Sequence, residues 1–283
     1  VFILEFNYFS EKINASKQPI GLAFEADREV AAGEEFYYIL NYKNEDRVAI
    51  NKVEIKVQYP DSFIFLESDP APSKNNNLWE ISSLAPRRSD LIRIKGKLVG
   101  PVGTSEVILA DMTYKPANFS SEFRKSAVFE TKINDLGLAF SFINSDSALI
   151  NEANEIMIKF KTKDQNYINN FRLTLERPDE VEIINQAPAA GQATSTPARP
   201  LIQTEGGAWQ ISNLGKNENE LKIEFKVKEK KQPSINLKVK FELPWAVPGQ
   251  PTKYYLFYEK DLNYEIIKSD LNISVIINGS PLD

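Results

Sequence analysis

The side chains that most often carry catalysis are scarce in this chain. Its 283 residues include no cysteine and no histidine. Thiolate nucleophiles, imidazole acid–base chemistry, disulfides and the usual zinc, copper or haem ligands are therefore excluded. We expect neither a cofactor nor a metal site.

Carboxylates are the remaining abundant chemical group, and two adjacent pairs, Glu34-Glu35 and Asp179-Glu180, raise the possibility of glycoside hydrolysis. That reaction needs two carboxyl groups held at a set separation across a cleft. Adjacent residues of a strand point to opposite faces, so neighbouring acids on a strand do not cooperate. We therefore interpret both pairs as solvated turns, keep a β-sandwich hydrolase as the least favoured function, and predict that the chain is not an enzyme.

Two tryptophans, Trp79 and Trp209, occupy the same point of a repeated strand, beside isoleucine and leucine. They could be platforms on which sugars stack. Large aromatic rings at strand positions more often fill a core. We predict that both are structural core residues.

The third tryptophan, Trp245, differs because it has no counterpart in the first half of the chain and lies between Pro244 and Pro248. This context predicts a loop. An exposed Trp245 could contact a partner or a glycan together with Tyr254, Tyr255 and Tyr258, or it could cover one end of a sandwich.

Short runs of alternating hydrophobicity, rich in β-branched and aromatic residues, make up nearly all of the chain. Examples are Glu35–Tyr42, Lys52–Tyr59, Glu155–Lys161 and Ile235–Phe241. Turn residues separate the runs, and no long amphipathic helix is visible. Many short strands at this spacing indicate all-β sandwiches.

An internal repeat sets the predicted domain count. Three landmarks of the first half recur in the second in the same order; they are Gly21–Phe24 with Gly137–Phe140, Pro60-Asp61 with Pro178-Asp179, and Leu78–Leu84 with Ala208–Leu214. The copies fall at residues 19–134 and 135–283. Extra residues in the second copy predict a loop insertion at about 187–207, which includes the small, Pro-rich stretch Ala187–Pro200.

The first copy also carries a recognisable pattern, which comprises Gly33-Glu34, Tyr37–Asn41, Tyr59-Pro60, Trp79–Ile81 and Leu84-Ala85-Pro86. It resembles the immunoglobulin-like repeat that occurs in tandem on many bacterial and archaeal cell-envelope proteins. The second copy departs from it, with Glu152 in place of the glycine and Leu214-Gly215-Lys216 in place of the Leu-x-Pro. The resemblance implies a cell-surface location and a mechanical role, and it supplies no catalytic residues.

The segment Val1–Phe9 precedes the first copy and is joined to it by a polar linker that ends at residue 18. As a strand it places Phe2, Leu4, Phe6 and Tyr8 on one face. An apolar strand of this kind needs a cover. It could be a strand of its own sandwich, the end of a removed anchor, or a strand donated to a neighbouring subunit.

The expected partners follow from the net charge of the chain and from the segment Val1–Phe9. The net charge is −5 and neither half of the chain is basic, so we expect no nucleic-acid binding. The longest apolar runs are too short to span a bilayer, so membrane attachment would require a segment preceding Val1. We expect the partner to be a second copy, in a head-to-tail homopolymer, or a component of the cell envelope.

The sequence thus predicts two tandem Ig-like antiparallel β-sandwiches with an N-terminal extension strand (residues 1–18). The favoured function is a non-enzymatic structural subunit of an extracellular filament, pilus or surface layer, assembled by donation of the N-terminal strand. The alternative is a monomeric surface adhesin or a glycan- or protein-binding module.

Overall fold

The computed structural model describes residues 19–184 and 208–268, and the backbone of 185, 201–205, 276–277 and 280–281. The described residues are all-β. None of them belongs to a helix of the length and apolar character needed to cross a membrane. The chain divides into two compact units between Leu136 and Gly137.

The first unit is a sandwich of two sheets. One sheet has the order β1-β3-β7-β5 and the other β2-β9-β8-β4-β6. The strands are β1 (Ile20–Glu25), β2 (Glu29–Ala31), β3 (Glu35–Asn44), β4 (Ile50–Gln58), β5 (Phe63–Asp69), β6 (Leu78–Leu84), β7 (Arg88–Leu98), β8 (Ser105–Pro116) and β9 (Phe123–Asp135).

The second unit repeats this arrangement, with sheet orders β10-β12-β17-β14 and β11-β19-β18-β13-β16-β15. Apart from β15, each strand in the two sheets of the second unit has a counterpart at the same position in the sheet order of the first unit. The strands are β10 (Leu138–Asn144), β11 (Ser147–Leu149), β12 (Ala153–Thr162), β13 (Phe171–Glu176), β14 (Val181–Asn185), β15 (Leu201–Glu205), β16 (Ala208–Ser212), β17 (Asn219–Val227), β18 (Ser234–Trp245) and β19 (Lys253–Ile267). A short hairpin, β20 (Ile276–Ile277) with β21 (Ser280–Pro281), follows.

Strand alternation builds each core. In β3, for example, Tyr38, Leu40 and Tyr42 are buried while Tyr37 is 47% exposed. The Tyr38 hydroxyl donates a hydrogen bond of 3.0 Å to Thr131 Oγ1 on the opposite sheet, so this buried polar group is paired. Each large apolar side chain removed from water in this way contributes about 1.5–3 kcal/mol.

The sheets of each unit are antiparallel except at one edge. β2 pairs with β9 in parallel, and β11 pairs with β19 in parallel. In both units the chain leaves the first sheet after its first strand and joins the edge of the second. There it runs in the same direction as the last strand, so an antiparallel ladder is impossible at that edge.

Part of the predicted loop insertion at about 187–207 is a strand. Residues 201–205 form the edge strand β15, which pairs antiparallel with β16 from Leu201↔Ser212 to Glu205↔Ala208. The run Leu-Ile-Gln-Thr is typical of a strand, but the composition of the preceding stretch obscured it. Residues 187–200 lie outside the described residues.

Candidate functional site

The first acidic pair singled out from the sequence, Glu34-Glu35, has structural partners. The Glu34 carboxylate accepts a hydrogen bond of 2.8 Å from the Ala31 N–H. The Glu35 carboxylate lies 2.9 Å from the Lys95 amine and 3.1 Å from the Lys97 amine, and their hydrogen bonds lower its pKa. Among the described residues, no three acidic side chains form a cluster that could hold a metal ion.

The two repeat tryptophans lie in the cores. Trp79 is 2% exposed and Trp209 is 1% exposed. The Trp79 indole N–H donates to the Pro70 carbonyl over 2.9 Å. The Trp209 indole N–H has no hydrogen-bond partner among the described residues.

Trp245 is not in a loop, contrary to the sequence prediction. It is the last residue of β18, where it pairs with Lys253 of β19, and it is half-buried. The register of β18 accommodates Pro244 at the end of the ladder, where Tyr254 is its partner. Pro is tolerated at such a terminal position because few ladder hydrogen bonds remain to be lost.

The three tyrosines of the predicted contact surface occupy different environments. Tyr254 is 39% exposed, and the Arg172 guanidinium lies 4.2 Å from its ring centre. Tyr255 is 8% exposed and points into the core, so it is not accessible to a partner. Tyr258 is half-buried at one side of the sandwich, and burial raises its pKa.

Tyr258 belongs to a cluster of rings that the sequence analysis did not identify. Its ring stacks on Phe140 of β10 with centroids 5.0 Å apart and planes 6° apart, and it lies 6.3 Å from Phe142. Phe140 and Phe142 are half-buried. We call Phe140, Phe142 and Tyr258 the aromatic rim.

A β-bulge produces this rim. The β18–β19 register skips a residue, because Phe241 pairs with Tyr258 whereas Glu242 pairs with Leu256. The two consecutive residues Phe257 and Tyr258 therefore both contact Phe140, at 6.5 Å and 5.0 Å between ring centres. Bulges often redirect a side chain in this way.

The rim lies beside a strand edge that lacks charge. β10 forms one end of its sheet, and its only paired neighbour among the described strands is β12. Every other described edge strand of more than three residues in the two sandwiches contains an acidic residue, whereas Leu138–Asn144 contains no charged residue and no proline. Ile143, on this strand, is 54% exposed. Proteins commonly protect edges with charge, and β10 lacks that protection.

The main-chain groups of β10 are oriented for further pairing. The Lys163 N–H donates to the Gly137 carbonyl over 2.8 Å at the start of the β10–β12 ladder. Residues opposite one another alternate between hydrogen-bonded and non-hydrogen-bonded pairs in an antiparallel ladder. The main-chain groups of Ala139, Ser141 and Ile143 therefore face β12, and those of Leu138, Phe140 and Phe142 face away from it.

Among the described strands, β19, the second strand at this side, also has no partner along most of its outer edge. β11 pairs only with Glu265–Ile267. No other described strand pairs with that edge of Lys253–Tyr264. The aromatic rim thus lies between two strand edges that no other described strand pairs with over most of their length, an arrangement that suits an added strand.

The equivalent side of the first unit is more closed. β1 is shorter than β10 and ends in Glu25. The Arg28 guanidinium lies 5.8 Å from the centre of the half-buried Phe129 ring, and Phe24 packs edge-on against the buried Tyr38 at 6.0 Å. The charged side chain of Arg28 therefore lies at the side of the first unit that corresponds to the aromatic rim of the second unit.

The predicted assembly strand, with Phe2, Leu4, Phe6 and Tyr8, lies outside the described residues.

Comparisons with known proteins give distant structural likenesses. No family model matches the chain, and no curated protein matches it. Three solved structures illustrate the likenesses. A cohesin module from the family 33 glycoside hydrolase of Clostridium perfringens is 16% identical and shares 42% of this chain and 99% of its own length, with a TM-score of 0.33.

The transglutaminase of red sea bream is 12% identical, over 93% of this chain and 33% of the transglutaminase, with a TM-score of 0.34. AvmM, which catalyses macrocyclization in alchivemycin A biosynthesis, is 12% identical over 41% of this chain and 89% of its own length, with a TM-score of 0.29. At these scores the likenesses carry no inference about the function of this chain.

Proposed function

We propose that this chain is a non-enzymatic structural subunit of an extracellular filament, pilus or surface layer, assembled by addition of the strand Val1–Phe9 to a sheet edge of another copy. The observation that carries the proposal is the uncharged edge strand β10, whose outward main-chain groups border half-buried aromatic rings. Such an edge is a template for strand pairing.

The sequence of the donor complements such an edge. Val1–Phe9 alternates so that Phe2, Leu4, Phe6 and Tyr8 share one face. Main-chain hydrogen bonds would supply affinity, and the side chains on the apolar face would set the register. The extracellular location is supported by the resemblance of the first copy to surface-protein repeats.

A contact between the N-terminal segment of one copy and a strand edge of the next joins two different surfaces. Heterologous contacts of this kind propagate into a filament or sheet unless the rotation between copies closes a ring. The two sandwiches would act as spacers in the resulting polymer. No catalytic group is required for this function.

The test is negative-stain electron microscopy of the full chain at rising concentration, compared with a chain that lacks residues 1–9. We expect regular fibres or sheets from the full chain and isolated particles from the truncated chain. Fibres from the truncated chain would contradict strand donation. Isolated particles from the full chain at every concentration would contradict the proposal and favour an adhesive module.

A matched pair of substitutions separates the apolar face from the opposite face of the strand. Phe6→Asp introduces a charge on the predicted packed face and should abolish fibres. Asn7→Asp introduces the same charge on the predicted exposed face and should leave fibres intact. Equal loss of assembly in both variants would mean that the alternation of the segment does not set its register.

A further inference from the structure

We infer that the acceptor for Val1–Phe9 is the open side of the second unit, where β10 and β19 flank the aromatic rim, and not the equivalent side of the first unit. This inference rests on the proposed strand addition. It assigns a specific binding surface, and its occupant is the N-terminal segment of a second copy of the chain.

The alternation of side chains along β10 and along Val1–Phe9 is consistent with this acceptor. On β10, Phe140 and Phe142 point to the core side while Ser141 and Ile143 are exposed on the other face. A strand added beside β10 continues the same two faces. Phe2, Leu4 and Phe6 can then pack on the core side against the rim, and Glu5 and Asn7 lie on the solvent side with Ser141.

The lengths of β10 and of the donor segment are also consistent with this acceptor. β10 has 7 residues, and the donor segment Val1–Phe9 is of similar length. The polar residues 10–18 that follow the donor can span about 30 Å when extended. This connection is long enough for the segment to leave its own sandwich, as donation to a neighbour requires.

Charge distinguishes this side from the equivalent side of the first unit. In the first unit the corresponding strand ends in Glu25, and Arg28 lies over Phe129. At the second unit, the exposed Glu259 and Lys260 follow Tyr258 directly on the same strand and mark one end of the apolar stretch. The apolar face of the donor strand therefore gains more binding free energy by covering the aromatic rim of the second unit than by displacing the Arg28 side chain from the first unit.

The absence of cysteine in the chain permits a direct test. Two double variants of the full chain are prepared, Asn7→Cys with Ser141→Cys, and Asn7→Cys with Glu25→Cys. Ser141 and Glu25 occupy equivalent positions of the repeat and are both exposed. Both variants are brought to fibre-forming concentration, treated with a short bismaleimide cross-linker and separated on a denaturing gel.

We expect the Ser141 variant to give a ladder of covalent dimers, trimers and longer species, and the Glu25 variant to remain largely monomeric. Fibres that cross-link through Glu25, or through neither position, would overturn the acceptor assignment while leaving strand donation in place. A cross-linked species of monomer mass in the Ser141 variant would mean that the segment pairs within its own chain, and would overturn the inference. If the unmodified chain forms no fibres, the proposed function itself is contradicted, and this outcome is distinct from the cross-linking results.

Discussion

At the scale of single residues, the two core tryptophans show that the same repeat position can have different polar environments. Trp79 and Trp209 are equally buried and lie on equivalent strands, β6 and β16. Only Trp79 donates a described hydrogen bond, to the Pro70 carbonyl. Pro70 immediately follows β5, whereas the second unit has its insertion at that point of the chain.

This difference gives a prediction for conservative substitutions. Trp79→Phe removes a hydrogen bond and some buried area, and should lower the free energy of unfolding of the first unit by about 2–3 kcal/mol. Trp209→Phe removes a buried donor without a described partner, and should cost about 1 kcal/mol less than Trp79→Phe. Urea denaturation followed by circular dichroism measures both, with the exposed Phe119→Ala as the control. An equal or larger loss for Trp209→Phe would mean that its indole N–H is paired.

At the scale of strands and sheets, the insertion in the second unit extends a sheet without altering the shared arrangement. β15 is an edge strand that pairs only with β16 in the described structure, and the first unit has no counterpart of it. The core residue Trp209 lies on β16, not on β15. We therefore expect β15 to be dispensable for folding.

The prediction is tested by replacing residues 186–207 with the connection of the first unit, residues 70–77. The chimera should fold, with a loss of at most about 2 kcal/mol, because an edge strand contributes fewer packing contacts than a central strand. Thermal unfolding of the chimera provides the measurement. Deletion of β16 is the comparison variant and should prevent folding of the second unit. A chimera that fails to fold would show that the insertion supplies core contacts.

At the scale of the whole molecule, both units bury tyrosine hydroxyls and therefore share a weakness at high pH. Burial raises the pKa of Tyr38 to about 12, and burial together with Asp90 raises the pKa of Tyr42 to about 12. Burial also raises the pKa of Tyr264 in the second unit. An unfolded tyrosine has a pKa of about 10.

Because these folded-state pKa values are raised, the stability that the neutral tyrosines contribute is fully present below about pH 10 and is lost as the pH rises from about 10 to 12. We expect the free energy of unfolding to fall by about 2–3 kcal/mol for each of Tyr38 and Tyr42 over this range. Urea titrations at pH 8, 10, 11 and 12 measure the decrease. Tyr38→Phe should reduce the decrease, and substitution of the exposed Tyr37 by Phe is the control. A decrease that is the same in the Tyr38→Phe variant would contradict this assignment.

The all-β class and the internal repeat were accessible from the sequence because both rest on local signals. Alternating apolar residues and turn residues determine where strands form, and the repeated landmarks mark equivalent strands. The burial of Trp79 and Trp209 follows from the same pattern, since each ring is flanked by apolar residues in a strand.

Features that depend on strand pairing were decided only by the tertiary structure. Parallel pairing of β2 and β11, the strand β15, and the place of Trp245 at the end of β18 depend on which strands become neighbours. The aromatic rim is a further case, because Phe140, Phe142 and Tyr258 are separated in sequence and meet only when a bulge in β19 faces β10. Local residue patterns specify strands and faces, but the edges left open are set by contacts between residues distant in the chain.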